Sequence, residues 1–524
     1  MTVPTTTPAP TTPAPAPLLA ALDRLFNRLY GHRANPIYQS GAIVILLWGL
    51  LLVTGLWLLL FYRIGAPWES VDGLTRSPWT GAWIRGVHRY GSDAAVVATV
   101  VHAARMFLQR RTWGPRTLAW IAGLALLGLL VFSGLTGFVM VWDSFGQRLA
   151  VEGARLLDVL PLFSEPTRAT FLDGRPIPGA FFFLNMFLHV AVPLGLILVL
   201  WLHLSRTARP TLLPPKSLGW ALVLGLIALA VIMPVGMAPK ADPFTIPASV
   251  PTDWFYAPWL PLTGWLSPGA GWLVGIGLVS LVILVPWFTR PPRERRPSPS
   301  HVDSALCTGC RQCALDCPYE AIEMVPRTDG RADVVAKIDP ALCVSCGICA
   351  ASCAPMGVGP PGRTGRDQLA DIRARIDGLG ADRRIVVFGC DQGAVTTRAA
   401  LEQAGAMVVP VSCAGNLHTS TIEYAVRKGG VGALILTCPS RDCWNREGPK
   451  WLDQRLYHDR EAELKARVDR SRVRVAEVAA FDSARAVAEY TAFVASLQAL
   501  GSGPVETEVE LDPTCTTAGD EAAL

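Results

Sequence analysis

The first 290 residues of this 524-residue chain contain no cysteine and little charge: 31 Asp, Glu, Lys and Arg, against 58 in the remaining 234. About a quarter of a soluble protein is charged, so a wholly soluble enzyme is excluded. With all 13 cysteines beyond residue 290, thiol-ligated centres belong to the second half. No basic stripe occurs either. The cations sit in short loops between apolar runs, which excludes nucleic acid as a partner. Residues 1–17 are a Thr/Pro/Ala-rich run with neither a charged side chain nor an apolar stretch, unlike a signal peptide, and are expected to form a disordered tail that leads in through residues 1–29.

What the first half has is apolar runs. Six are long enough for a bilayer, at about 41–62, 86–108, 117–140, 179–204, 218–236 and 270–288. They predict an all-α transmembrane bundle over 30–290. One set of flanks carries Arg24, Arg28, Arg33, Arg110, Arg111, Arg116, Arg206, Arg209, Lys216 and Arg290, while the opposite loop at 143–178 holds Asp143, Glu152, Asp158, Glu165 and Asp173 against four arginines. Positive flanks stay inside, so both termini are expected in the cytoplasm of a prokaryotic membrane. Trp68, Trp79, Trp83, Trp254, Trp259 and Trp265 form the outer aromatic belt.

Two of these spans carry paired histidines: His88 and His102, then His189 and His203, each pair 14 residues apart. Fourteen helical steps fall about 40° short of four turns and advance about 21 Å, so each pair shares one face. Ionisable groups inside a membrane are rare and functional. The alternative of simple polar helix contacts does not account for two equal spacings on antiparallel spans. Four imidazoles so placed form two bis-histidine haem sites, whose saturated iron transfers electrons. Gly41 and Gly55, and Gly123 and Gly137, repeat the spacing of 14 and are expected to let a haem edge approach the helix backbone.

These features resemble the cytochrome b family of quinol-oxidising bc and b6f complexes. The resemblance runs through "SGAIVILLWGLLLVTGLWLLLFY", "RGVHRYG", "HAAR", "GFVMVWDSFG" and "LHVAVP". It implies two haem b groups, an outer one on His88 and His189 and an inner one on His102 and His203, with Arg85 and Arg105 facing propionates. It also implies a homodimer. "ADPFTIPASVPTDWFYAP" aligns with the family's Pro-Glu-Trp-Tyr quinol-site segment; Asp253 stands at the glutamate, Thr252 at the proline, and Trp254 and Phe255 follow. Asp253 would then accept a proton from quinol, with shorter reach; the competing reading is a surface loop carboxylate. Only two spans follow the haem-binding four, and no Rieske-type Cys/His pairing is present.

A polar Pro/Arg linker at 291–300 precedes a small α+β ferredoxin-like module at 301–356. Cys307, Cys310, Cys313 and Cys317 give C-x2-C-x2-C-x3-C-P, and Cys343, Cys346, Cys349 and Cys353 repeat the spacing. In two-cluster bacterial ferredoxins the fourth cysteine of each run ligates the other cluster. One [4Fe–4S] cluster is thus assigned to Cys307, Cys310, Cys313 and Cys353, the other to Cys343, Cys346, Cys349 and Cys317. Zinc, the alternative, uses four ligands in paired spacings.

Beyond a Gly/Pro stretch, residues 383–500 alternate β-type runs (385–390, 407–413, 433–438, 473–478) with helical ones, predicting an α/β parallel-sheet domain. Cys390, Cys413 and Cys438 end three of the runs and Cys443 follows. The choice lies between buried structural thiols and a [2Fe–2S] cluster at the sheet edge. Through "VVFGC", "VSCAG" and "CPSRDCW" the segment resembles the delta subunit of methyl-viologen-reducing hydrogenase, with Gly393 where the family has another cysteine. That resemblance implies a cytoplasmic flavin or iron–sulfur partner, heterodisulfide reductase-like or a dehydrogenase. His418 is expected to be an ordinary loop residue, and 501–524 a polar tail.

Assembled, these expectations describe a multi-domain integral membrane oxidoreductase subunit in contact with lipid and quinone. Electrons would move between quinone or quinol, two haems, two [4Fe–4S] clusters, a terminal cluster and a soluble enzyme, in a direction left open. A non-catalytic anchor and relay without a quinone site is the alternative.

Overall fold

The computed structural model of the chain describes residues 17–161, 166–171, 177–245, 250–331, 333–378, 384–428 and 430–500. The expected tails at 1–16 and 501–524, Glu165, Asp173 and residues 246–249 lie outside the described residues. The chain divides into two units, a helical one ending at Arg296 and a second one beginning at Pro297.

In the helical unit the elements are α1 (Pro17–Ala34), α2 (Ser40–Leu59), α3 (Pro67–Arg76), α4 (Trp83–Leu108), α5 (Thr117–Val141), α6 (Ser144–Leu157), α7 (Gly179–Ser205), α8 (Lys216–Ile232), α9 (Pro268–Ile283) and α10 (Val285–Phe288). The lead-in expected through residue 29 is helical from Pro17 onward, with Leu19, Ala20 and Asp23 buried. Three segments, Ser40–Leu59, Gly114–Val141 and Gly179–Ser205, are long and apolar enough to cross a membrane. Three of the six expected spans fall short of that measure for identifiable reasons. Helix α4 has 26 residues but carries Arg85, Arg89, Asp93 and Arg105. Helix α8 stops at Ile232 because Met233 precedes Pro234, which disfavours helical backbone. Helix α9 stops at Ile283 just ahead of Pro286. At 17 and 16 residues these last two reach about 24–26 Å, less than a bilayer's apolar core of about 30 Å.

The outward surface is nevertheless apolar. On α7 Phe183, Leu184, Phe187, Leu198 and Trp201 are all more than half exposed; a belt of that size suits lipid rather than water. Inside, α2 packs along α4, α5 along α7, and α8 against α4. Below α5 a ring cluster forms, with Trp142 edge-on to Phe182 at 4.9 Å between centroids.

The second unit opens with two antiparallel ribbons, β1 (His301–Val302) with β4 (Val358–Gly359) and β2 (Ile322–Pro326) with β3 (Val334–Ile338), and two short helices, α11 (Gln312–Leu315) and α12 (Ile348–Ala351). It repeats itself at an interval of 36 residues. The left-handed backbone at Gly309, Arg311 and Glu320 recurs at Ser345, Gly347 and Met356, an interval shared by all four cysteine pairs.

Strands β5 (Arg384–Cys390), β6 (Met407–Val411), β7 (Gly430–Thr437) and β8 (Val473–Glu477) form one parallel sheet in the order β6-β5-β7-β8. Alternate residues face opposite layers. Val386 and Phe388 pack with Ile372, Ile422 and Leu452 from α13 (Gly365–Asp377), α15 (Thr419–Lys428) and α16 (Gly448–Tyr457). Val387 packs with Leu401, Tyr490 and Phe493 from α14 (Arg398–Gln403) and α17 (Ser483–Ala499). Helix α13 lies before residue 383, so this layered core starts earlier in the chain than the strand pattern indicated. Its start is set by a reciprocal cap, Thr364 and Asp367 each accepting from the other's backbone N–H.

Candidate haem and iron–sulfur centres

Each of the four paired histidines, His88, His102, His189 and His203, is seated on one glycine. A Cβ at Gly41 would lie 3.0 Å from His102 Cε1, at Gly55 3.1 Å from His88, at Gly123 3.3 Å from His203, and at Gly137 2.9 Å from His189. Each glycine therefore gives an imidazole room against the helix backbone. The paired spacings of 14 are one feature, because α2 runs antiparallel to α4 and α5 to α7.

The rings are also held in one tautomer. His189 Nδ1 donates to the Ser133 carbonyl at 2.8 Å, and His203 Nδ1 to the Ala119 carbonyl at 2.8 Å. Thr54 spends its hydroxyl proton on the Leu50 carbonyl at 2.8 Å, so at 2.9 Å it accepts from His88 Nδ1. Ser40 Oγ stands 3.2 Å from His102 Nδ1. Donation from Nδ1 leaves a neutral ring with its lone pair on Nε2, the form that binds metal. His88 and His189 face each other with centroids 6.3 Å apart; two metal–nitrogen bonds of about 2 Å each and the two ring radii fill that span. These donors fit an iron held between two imidazoles.

The two arginines expected at propionates have protein partners. Arg85 donates to the carbonyls of Val235 at 2.7 Å and Gly236 at 3.2 Å. Arg105, 4% exposed, grips both carboxylate oxygens of Asp23 at 2.8 and 3.3 Å and stacks over Tyr38. Asp253 is no free surface carboxylate. Arg89 donates to its Oδ2 at 2.7 Å, and the Phe255 and Tyr256 N–H groups donate to its Oδ1 at 3.0 and 2.7 Å. Arg89 also pairs with Asp93 and lies over the Phe138 ring. Tyr256, 1% exposed, fills the space that Gly134 leaves and bonds Ser92 at 2.7 Å. Arg89, Asp93 and Tyr256 were missed from sequence; three charges at intervals of four along an apolar span, Arg85, Arg89 and Asp93, were the available signal.

In the second unit the twelve cysteines among the described residues gather into three quartets. Cys307, Cys310, Cys313 and Cys353 line one cavity, and Cys317, Cys343, Cys346 and Cys349 another, the exchange of fourth cysteines read from the spacing. Backbone N–H groups point at sulfur in symmetrical places, Ala321 to Cys317 at 3.4 Å and Gly357 to Cys353 at 3.3 Å. Burial pushes the Cys313 and Cys353 thiols up, and Cys349 up to about 12. Four such thiols ionise together only against compensating positive charge, which iron supplies. Each cavity wall presents four cysteines.

The third quartet stands where β5, β6 and β7 end. Cys438 Sγ lies 3.4 Å from Cys390 Sγ, and Cys443 hydrogen-bonds to Cys413, pulling Cys413 down to about 7 while Cys443 is pushed up. A Cβ at Gly393 would be 3.0 Å from Cys438 Sγ, so the position where the delta-subunit family has another cysteine borders this same cluster. His418 is not an ordinary loop residue. It is 2% exposed, its Nε2 donates to the Cys353 carbonyl at 3.2 Å, its Nδ1 accepts from Ser420 N–H at 3.1 Å, and burial pulls it down to about 4. Arg455, fully buried, bonds Asp316, Ser352 and the Gly415 carbonyl, and Arg460 joins Asp316. The ferredoxin-like module and the sheet domain thus share one polar core.

The facing pair His88 and His189 in the helical unit, with three cysteine quartets in the second unit, suits an electron-transfer protein with several centres. Comparison with known families agrees segment by segment. Residues 26–209 match cytochrome b/b6/petB, 306–357 the 4Fe-4S dicluster domain, and 385–501 the methyl-viologen-reducing hydrogenase delta subunit. The menaquinol:cytochrome c reductase cytochrome b subunit of Geobacillus thermodenitrificans is 29% identical over 33% of this chain and 81% of its own. The cytochrome bc complex cytochrome b subunit of Chlorobaculum thiosulfatiphilum is 25% identical over 51% and 70%. A hyperthermophilic respiratory Complex III chain aligns over 53% of this chain and 84% of its own, at 17% identity and a TM-score of 0.38. The chain thus carries a cytochrome b-type segment followed by 4Fe-4S dicluster and hydrogenase delta-type segments, and these segments imply haem b and iron–sulfur clusters.

Proposed function

We propose that this chain moves electrons between the membrane quinone pool and a soluble redox enzyme. The observation that carries this reading is the opposed pair His88 and His189, ring centroids 6.3 Å apart with both Nδ1 atoms engaged. His88 with His189 would hold an outer haem b and His102 with His203 an inner one. The two ferredoxin quartets would hold [4Fe–4S] clusters and the third quartet a [2Fe–2S] cluster. Bound there, haem and clusters supply one-electron carriers. The residues contribute the rest: Thr54, Ser133 and Ala119 orient imidazoles, and burial keeps water from the thiolates. The topology proposed is six spans, with α4, α8 and α9 crossing beside the three more apolar segments, both termini cytoplasmic, and a dimeric assembly as in cytochrome b complexes.

Quinol enters the proposal through relatives whose names state menaquinol as substrate. Asp253 would take a proton from quinol after leaving Arg89, whose second partner Asp93 keeps the guanidinium neutralised. The partner would be a flavin or iron–sulfur enzyme reached through the delta-type domain. A second reading rests on Asp253 too: its two oxygens already have three donors, which suits an anchor and relay with no quinone site. Quinol-driven haem reduction in purified protein separates them. Reduction that Asp253→Asn abolishes supports the quinone site; no reduction in either sample supports the relay. Potentiometric titration of haems and clusters reads the direction of flow.

A further inference from the structure

The second ferredoxin quartet and the sheet-domain quartet meet through particular side chains. Cys346 packs with Ile348 against Cys413 and Trp451. Tyr319, on the wall of the Cys317/Cys343/Cys346/Cys349 cavity, donates to Asn445 at 3.1 Å, and Asn445 in turn bonds Cys413. The approach is backbone-tight: a Cβ at Gly347 would lie 2.5 Å from Asn416 Nδ2, which donates to the Gly347 carbonyl at 2.8 Å. The cavity of the first quartet, by contrast, is lined by residues 302–358 alone.

Arg455, on the Gly415 carbonyl and Asp316, is one cation at this seam, and Arg363 is another. Arg363 donates to Ser345 Oγ at 2.6 Å and to the Ser345 carbonyl at 3.1 Å, and Ser345 lies between Cys343 and Cys346 in left-handed backbone. The Arg363 carbonyl accepts from Asn416 and Gln368. Its charge acts on Cys346, Cys349 and Cys413, with Asp391 as the opposing carboxylate. A fixed positive charge favours the more negative, reduced state of a nearby centre, and a partly buried one is weakly screened.

Resting on the cluster assignment above, we propose that the second ferredoxin centre is the one that exchanges electrons with the sheet-domain centre, across the Cys346–Cys413 contact, and that Arg363 is the positioning residue which raises the reduction potential of both. One electron leaves the reduced centre, which is oxidised, and reduces its neighbour; no bond forms and no proton moves. The first quartet meets the sheet domain at the Cys353 carbonyl, which accepts from His418, while the wall of its cavity is made of residues 302–358.

Redox titration of the full-length purified protein, followed by electron paramagnetic resonance, tests this. In Arg363→Gln the second and sheet-domain centres titrate at lower potential than in unaltered protein, the first centre holds its potential, and Arg363→Lys restores both. Unmoved potentials, or an equal shift of all three centres, overturn the proposal. A measurement without substitution at 363 covers loss of that variant. In unaltered protein the sheet-domain signal relaxes faster once the ferredoxin centres are reduced, and it still does so after Cys310→Ser removes the first centre. Loss of the effect in Cys310→Ser overturns the proposal. Absence of iron–sulfur signals from unaltered protein overturns the cluster assignment and this proposal with it; normal signals with unmoved potentials overturn this proposal alone.

Discussion

Gly137 lies against the imidazole of His189 so closely that a Cβ there would stand 2.9 Å from Cε1. Side chains do not approach at that distance, so a larger residue must displace the ring or the helix. Gly137→Val is expected to lose about half the haem per protein in reduced-minus-oxidised spectra. Gly49→Val, on the same bundle with nothing within 4 Å of its Cβ, keeps both haems. Equal haem content in the two variants would show that the glycine seat is incidental.

The facing of His88 and His189 predicts matched losses. His88→Ala and His189→Ala remove the same spectral component, because each leaves iron with one axial nitrogen. His102→Ala and His203→Ala remove the other. Identical spectra from His88→Ala and His203→Ala would refute the pairing.

Asp316 is 1% exposed and holds both Arg455 and Arg460. Removing one partner of a buried pair leaves a stranded charge and costs about 3–5 kcal/mol. Asp316→Ala in the full chain is expected to bleach the iron–sulfur absorbance at a clearly lower temperature on heating, with haem bands unaffected. Asp371→Ala, which removes an exposed pair with Arg375, leaves that temperature within a degree or two, since such pairs contribute about 0–1 kcal/mol.

Gly448 opens α16 beneath the third quartet, and a Cβ there would lie 2.7 Å from Cys413 Sγ and 3.5 Å from Cys443 Sγ. Gly448→Ala is expected to diminish the sheet-domain paramagnetic signal and leave the two ferredoxin signals intact. Iron content unchanged from the unaltered protein would mean that the quartet tolerates the shift and that its packing is looser than these distances imply.

Much of the candidate chemistry was legible as spacing. Intervals of 14 survive into the structure because a helix repeats its face with so little drift, and the cysteine runs survive because metal-ligand loops are short and local. The strand ends at Cys390, Cys413 and Cys438 were readable for a similar reason: β-branched runs bounded by turns seldom extend far past their last apolar residue. Apolar runs were a poorer guide to helix length. Pro234 and Pro286 end α8 and α9 inside stretches that composition alone counts as continuous.

By its own order of residues, then, the chain determined the two unlike halves, the four histidines on two helix faces and the repeated spacing of the two cysteine runs, since each is a pattern along the chain itself. Which surfaces meet was decided only in three dimensions. The seating of each imidazole on a glycine, the capture of Asp253 by Arg89 and of Asp23 by Arg105, and the burial of His418 and Arg455 between two modules all join residues far apart in sequence. A polar group in an apolar interior takes whichever partner the packing brings within hydrogen-bond reach, and local pattern carries no record of that choice.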